Sequence, residues 1–279
     1  AHAALAVAKQ DIFLHANRAG RLSGTTLRAE NTDTNLQFED WHLRRMQRAE
    51  TDVYEGRFAG EGFAVSFEAS TQQPVILRGE AGLSKKGPQA KQASYYYSRA
   101  PLHVNASVVL GKQTQILEGK AWLDHEWSSQ LLMSGAVGWD WVGINLLDGG
   151  TLMAFRIRDK KSESLYTHVD ARDRGGMPVS GWDGLKWQPR GSWRSKSLID
   201  YPIHMDLVVK GQTFRLVPLI LSQEVDARSS TGGFYWEGAV RLMKEEHLLG
   251  HGYLELTGQA NIISDFSRIN IFLIGTPLP

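Results

Sequence analysis

The sequence predicts an all-β protein, and three observations carry that reading. Short stretches of apolar and β-branched residues recur along the chain. Turn signals separate them. Almost no stretch has the three-to-four-residue apolar period of a helix, the short exception being 128–133. In order, Asp52–Phe67 reads as strand, with clear alternation in Phe63-Ala64-Val65-Ser66-Phe67. Gly79–Lys91 is polar and rich in small residues and reads as a loop. Leu102–Leu110 is a strand closed by the turn signal Gly111-Lys112. Trp139–Leu147 and Thr151–Arg158 flank Asp148-Gly149-Gly150, the strongest hairpin signal in the chain. Arg172–Arg194, broken by glycines and prolines, reads as a loop-rich insertion. Ile203–Val209, Thr213–Leu219, Tyr235–Leu242 and Gly252–Thr257 complete the series. Many short strands without intervening helices make barrels or sandwiches. The 279 residues suffice for two such units, although no exact internal repeat is visible.

Composition narrows the function. There are 31 basic and 30 acidic residues, so no nucleic-acid partner is expected. With no cysteine in the chain, thiolate catalysis, disulfides and zinc–thiolate sites are excluded. No phosphate-binding glycine loop, dinucleotide fingerprint or serine-hydrolase elbow is present. The histidines are scattered without metal-ligand spacing, so neither a metal nor another cofactor is expected. Ala1–Ala8 is apolar but has no basic leader and is too short for a signal peptide, as in a mature or trimmed chain. Nothing in the pattern fixes an oligomeric state.

Gly119–Arg158 holds four of the nine tryptophans around the triplet Asp124-His125-Glu126. On a strand, Trp122, Asp124 and Glu126 would face one way, and His125 and Trp127 the other. An imidazole beside an indole can move protons near neutral pH, with Asp124 or Glu126 setting its tautomer. The competing reading is a core histidine among core tryptophans. A second cluster, Trp139-Asp140-Trp141, places both indoles on one face, with Met153 and Phe155 returning on the paired strand. A third is Tyr235-Trp236-Glu237, where a buried Glu237 would need a partner such as Arg156 or Arg158. The phenols of Ser94-Tyr95-Tyr96-Tyr97-Ser98, Tyr96 and Tyr97 in particular, add amphipathic rings suited to a core or to a pocket mouth.

Several motifs together resemble one family. Gly119–Ser129 (GKAWLDHEWSS), Gly138–Arg158 (GWDWVGINLLDGGTLMAFRIR), Tyr235–Val240 (YWEGAV) and Gly250–Gly258 (GHGYLELTG) are similar to the AttH-like family, also known as the carotenoid 1,2-hydratase or hydroxyneurosporene synthase-like family. Supporting matches are Pro74–Ser84, Ala93–Ser98, and Trp193 with Tyr201-Pro202. The resemblance implies a duplicated lipocalin-like (calycin) fold: two tandem antiparallel β-barrel domains packed together, here 1–130 and 131–279. Family members begin earlier, with a Glu-Trp-Trp-Tyr-like motif, so the first domain is expected to lack its opening strands. The resemblance also implies an exported protein, periplasmic or secreted, associated with transporter components, and a hydrophobic ligand such as a lipid or isoprenoid.

In the hydratase branch an acid aided by a histidine and a tryptophan protonates a double bond. His125 and Trp127 match that pair, whereas Thr151–Arg158 lacks the acid of the later strand. The expectation is therefore a protein that binds or handles a hydrophobic small molecule. The alternatives are a hydratase, isomerase or cyclase of such a molecule, with His125, Asp124 and Glu126 catalytic, and a transporter accessory. Trp122, Trp127, Trp139, Asp140, Trp141, Tyr96, Tyr97, Tyr235, Trp236 and Glu237 would line the ligand site.

Overall fold

The computed structural model describes residues 1–20, 27–30, 32–128, 133–230, 232–259 and 267–277. Strands dominate: β1 (His2–Val7) and β2 (Ile12–Asn17) form a hairpin around a single 3-10 turn, Ala8–Gln10. There follow β3 (Leu27–Ala29), β4 (Asn35–Phe38), β5 (Trp41–Arg48), β6 (Thr51–Gly60) and β7 (Phe63–Thr71). Next come the short β8 (Ile76–Leu77) and β9 (Leu83–Lys85), then the long β10 (Ala93–Leu110) and β11 (Gln113–Trp127). Beyond them are β12 (Ala136–Leu146), β13 (Thr151–Asp159), β14 (Ser164–Arg172), β15 (Lys186–Arg194), β16 (Asp200–Val209) and β17 (Gln212–Pro218). The series ends with β18 (Glu224–Asp226), β19 (Phe234–Lys244), β20 (His247–Leu256) and β21 (Ser267–Pro277). No helix among the described residues is long and apolar enough to cross a membrane.

Three expectations change. Asp52–Phe67 is not one strand but parts of the hairpin β6–β7, turned at Glu61-Gly62 with Gly62 at φ +79°, a conformation glycine adopts without cost. The Gly79–Lys91 segment contains β9, which pairs with β10. The 172–194 segment contains β15, disguised by Pro189 and Gly191. Both sit at register shifts against β16, on a strand that ends the sheet, where proline is tolerated. The helix expected at 128–133 lies largely outside the described residues.

The chain forms two compact, interleaved units. The first comprises 1–72, 101–121 and 273–279, and the second 73–100 and 122–272. This division re-enters each unit, unlike a single cut at 130/131. In the first unit, β11, β10, β7, β6, β5, β4 and β3 are neighbours in that order, and from β10 to β3 each pairs antiparallel with the next.

In the second unit the order is β14-β13-β12-β20-β19-β17-β16-β15, with β18 on β19. Its first strand, β12, pairs with β13 on one side and with the late strand β20 on the other. That return brings a late strand back beside the first, as in a lipocalin-like up-and-down barrel, while β14 and β15 stand at the two ends of the order. Period-two alternation sends Val142, Ile144, Leu152, Ala154, Ile203, Met205, Leu207, Leu216, Trp236, Leu254 and Leu256 into one interior core. Burying each of the larger of these stabilises the fold by about 1.5–3 kcal/mol. Gly238 is required here: a Cβ would strike Gln223 and the ring of Trp236. The expected hairpin at Asp148-Gly149-Gly150 is present, with Trp141 opposite Phe155 and Gly143 opposite Met153.

Candidate functional site

The alternation that fills the barrel also dresses its outer face. Trp139, Trp141, Met153, Phe155 and Ile157 point away from the barrel core and form a second buried cluster with Tyr96, Ala100 and Trp122. Tyr166, Tyr253 and Phe272 pack against it. All belong to the second unit, where the start of β10 and the end of β11 cover this face.

Within that cover, Ser94, Tyr96 and Ser98 share one face of β10, and Trp122, Asp124 and Glu126 share one face of β11. The two rows meet. Tyr96 donates its hydroxyl to Asp124 Oδ2 at 2.7 Å, and Trp122 Nε1 donates to Asp124 Oδ1 at 2.8 Å. Ser98 also donates to Oδ1. Trp141 Nε1, from the barrel, donates to the Tyr96 hydroxyl at 3.0 Å. Trp122 and Trp141 meet edge to face, centroids 6.0 Å apart. Gly143 leaves room for that pair: a Cβ there would collide with the Trp141 ring and lie 3.1 Å from Trp122.

Charges are sunk into this aromatic setting. Arg78 is wholly buried and donates Nε to Ser98 Oγ at 2.9 Å. Its guanidinium lies 5.3 Å from the Trp122 ring centre and 6.0 Å from that of Tyr96. Lys86 Nζ pairs with Glu126 Oε1 at 2.7 Å and stands 4.0 Å from the Phe155 ring centre. Ser94 Oγ donates to the same Glu126 oxygen at 2.5 Å. On β14, Tyr166, His168 and Asp170 lie opposite Ile157, Phe155 and Met153, so they share the outer face.

The electrostatics follow from burial. Burial pushes the Asp124 carboxyl up, against the opposing pull of the Arg78 charge and of the Ser98, Tyr96 and Trp122 hydrogen bonds. Burial, then the Asp124 charge, pushes the Tyr96 phenol well above its usual range. Burial and the nearby Lys86 charge lower His168. Burial alone would raise Asp170, but Arg78 and Arg172 together hold it below the usual carboxylate range.

The expected residues thus separate into groups. Trp122, Asp124, Glu126, Tyr96, Trp139 and Trp141 come together. His125, Trp127 and Tyr97 lie on the opposite strand face, as alternation predicted. There the His125 ring stands 4.7 Å from Trp127, and its Nδ1 lies 3.1 Å from the Tyr97 hydroxyl. That hydroxyl, not Asp124 or Glu126, is the partner the structure places at Nδ1, because neighbouring strand residues face opposite ways. Burial lowers the pKa of His125.

Asp140 does not join the aromatic cluster. It turns into the barrel, where Arg156 Nε reaches it at 2.6 Å and Arg158 Nε at 3.0 Å. These are the two arginines expected beside Glu237. Trp236 belongs to the barrel core and donates Nε1 to the Leu221 carbonyl at 2.7 Å. Tyr235 is buried opposite Val225. Glu237 faces Glu255 across β19–β20, and Glu255 in turn faces Trp141 across β12.

Sequence reasoning missed Arg78, Lys86, His168 and Asp170 as site residues. Lys86 lies in the Gly79–Lys91 segment, whose composition is that of a loop, and Arg78 immediately precedes it. The alternation Ser94-x-Tyr96-x-Ser98 was a usable signal for the row that faces Asp124.

The AttH-like family model matches residues 1–259. A protein assigned as AttH from Nitrosomonas europaea has a similar crystal structure, with TM-score 0.84 and 35% identity over 93% of this chain and 81% of that one. Kievitone hydratase from Nectria haematococca has the same fold at 12% identity, with TM-score 0.71 over 92% of this chain and 79% of its own. No curated protein sequence matches significantly. With a family model spanning most of its length and a solved relative at this identity, the chain belongs to the AttH-like family.

Proposed function

We propose that the protein binds a hydrophobic small molecule of lipid or isoprenoid type at the aromatic cluster on the outer face of the second unit's barrel. One observation carries the reading: Arg78, Lys86, Asp124 and Glu126 are all buried among Tyr96, Trp122, Trp141 and Phe155. Burying charged groups costs several kcal/mol per ion before pairing, and apolar residues would pack the same space at less cost. Aromatic walls with a few placed polar groups are what small-molecule sites offer. The test is native mass spectrometry of the protein purified from its own host, followed by organic extraction. A retained lipid or isoprenoid supports the reading. A ligand-free protein that also takes up no fatty acid or isoprenoid from a panel, followed by tryptophan fluorescence, sinks it.

A second reading is acid–base chemistry on that molecule, a hydration or isomerisation. Its specific support is Asp124, whose carboxyl is pushed up by burial and accepts a hydrogen bond from the Tyr96 hydroxyl. That a hydratase shares the fold is consistent with this reading. Asp124→Asn should abolish turnover of an extracted ligand while the ligand still binds. Unchanged turnover would leave binding alone.

A further inference from the structure

We infer that Arg78, with His168 and Lys86 beside it, forms an anion-binding subsite for the head group of the bound molecule, a carboxylate or a phosphate monoester. The inference rests on the binding reading above and narrows its ligand class from hydrophobic to amphipathic and acidic.

Arg78 is the central observation. Its side chain is fully buried, yet only Nε is hydrogen-bonded, to Ser98. Both terminal nitrogens are buried without a hydrogen-bond partner. The nearest carboxylate to NH1, Asp170 Oδ1, stands off at 3.4 Å and is already engaged by Arg172 from Nε and NH2 at 2.9 and 3.1 Å. Asp124 meets Arg78 through the Ser98 hydroxyl.

A buried guanidinium with an open fork is costly, and the acceptor that best fits that fork is a pair of oxygens in one plane. A second unpartnered group stands near. His168 Nε2 is buried without a hydrogen-bond partner, on the same face of β14 as Asp170.

The local charges leave room for an anion. Arg78, Lys86 and Arg172 are positive, and Asp124, Glu126 and Asp170 are the acids around them. Glu126 is matched by Lys86, and Asp170 by Arg172. Asp124 reaches Arg78 only through the Ser98 hydroxyl, which leaves both terminal nitrogens of Arg78 to an incoming carboxylate or phosphate. Its apolar body would lie along Phe155, whose ring centre is 5.5 Å from His168 and 6.0 Å from Tyr166.

The experiment compares three probes of one chain length, dodecanoate, dodecyl phosphate and dodecanol, titrated calorimetrically into delipidated protein. At least one anion should bind about tenfold or more tightly than the alcohol, as expected when a charge-assisted pair replaces a neutral hydrogen bond. The stronger of the two anions identifies the head group. Arg78→Gln should bring both anions to the alcohol's affinity, and Arg78→Lys should restore part of the difference. Equal binding of all three probes by the wild-type protein overturns the subsite and leaves the hydrophobic reading standing. Binding of none overturns the hydrophobic reading as well. A preference that survives Arg78→Gln overturns the assignment to Arg78. The wild-type comparison needs no variant, so it decides the matter even if Arg78→Gln fails to fold.

Discussion

Replacing Tyr96 by phenylalanine removes one oxygen and breaks two buried hydrogen bonds. The hydroxyl donates to Asp124 Oδ2 at 2.7 Å and accepts from Trp141 Nε1 at 3.0 Å. Volume and aromatic contacts barely change, so the cost is polar. Two buried groups lose a partner, and each such loss costs about 1–3 kcal/mol. Tyr96→Phe should therefore destabilise the protein by roughly 2–5 kcal/mol. Tyr97→Phe is the control. It removes a hydroxyl 3.1 Å from His125 on the half-exposed face, where water can substitute, and should cost less than about 1 kcal/mol. The assay is urea unfolding followed by tryptophan fluorescence. It reports on the correct unit, because every tryptophan but Trp41 lies in the second. A Tyr96→Phe protein within about 0.5 kcal/mol of wild type would refute the argument. It would mean that water reaches Asp124, and that this network is not a dry, directional one.

Other outcomes follow from the same contacts. Gly143→Ala should push Trp141 off Trp122 and cost about 1–3 kcal/mol, seen as a lower urea midpoint with a shifted emission maximum. Asp140→Ala should cost about 3–5 kcal/mol by stranding Arg156 and Arg158 inside the barrel; a loss below about 1 kcal/mol would show that water reaches them. Acid should weaken the fold through its histidines. Burial lowers His2 to about 4 and also lowers His125, His168 and His251, so the unfolded chain takes up protons first. Their contribution is complete above about pH 6.5 and is lost as pH falls through 6.5 toward the folded values. Urea midpoints at stepped pH should fall over that range, less steeply in His168→Gln.

The strands that could be read from sequence are those whose turns and alternation agree. Trp139–Leu147, Asp148-Gly149-Gly150 and Thr151–Arg158 had both, and they form β12, the turn and β13 with Trp141 opposite Phe155. β15 had neither, because Pro189 and Gly191 sit at its bulges. The site was half legible for a related reason. Alternation within one strand separates Asp124 and Glu126 from His125 and Trp127, and the structure keeps that separation. Alternation does not say which face of one strand meets which face of another. Asp140 looked like part of the Trp139–Trp141 cluster because it is adjacent in sequence, yet it lies on the barrel side. Arg78 and Lys86 were hidden because each directly follows a very short strand, β8 and β9, set among glycines and lysines that read as solvent loop. Only the pairing of those strands with β10 brings both residues into the interior.

The separation of Asp124 from His125 constrains any chemistry here. Consecutive side chains on a strand point to opposite faces, so a molecule touching the Asp124 carboxyl lies across the strand from the His125 ring. The structure gives them different companions: Tyr96, Ser98 and Trp122 for Asp124, Tyr97 and Trp127 for His125. A reaction at the aromatic cluster would therefore draw its proton from Asp124, with Tyr96 as the adjoining hydroxyl, and His125 would stand outside it. His125→Ala should then leave both ligand affinity and any turnover near wild type, whereas Asp124→Asn removes turnover. If His125→Ala abolishes turnover while Asp124→Asn retains it, the reacting molecule lies on the outer face beside Tyr97 and Trp127. The buried cluster would then be a structural network.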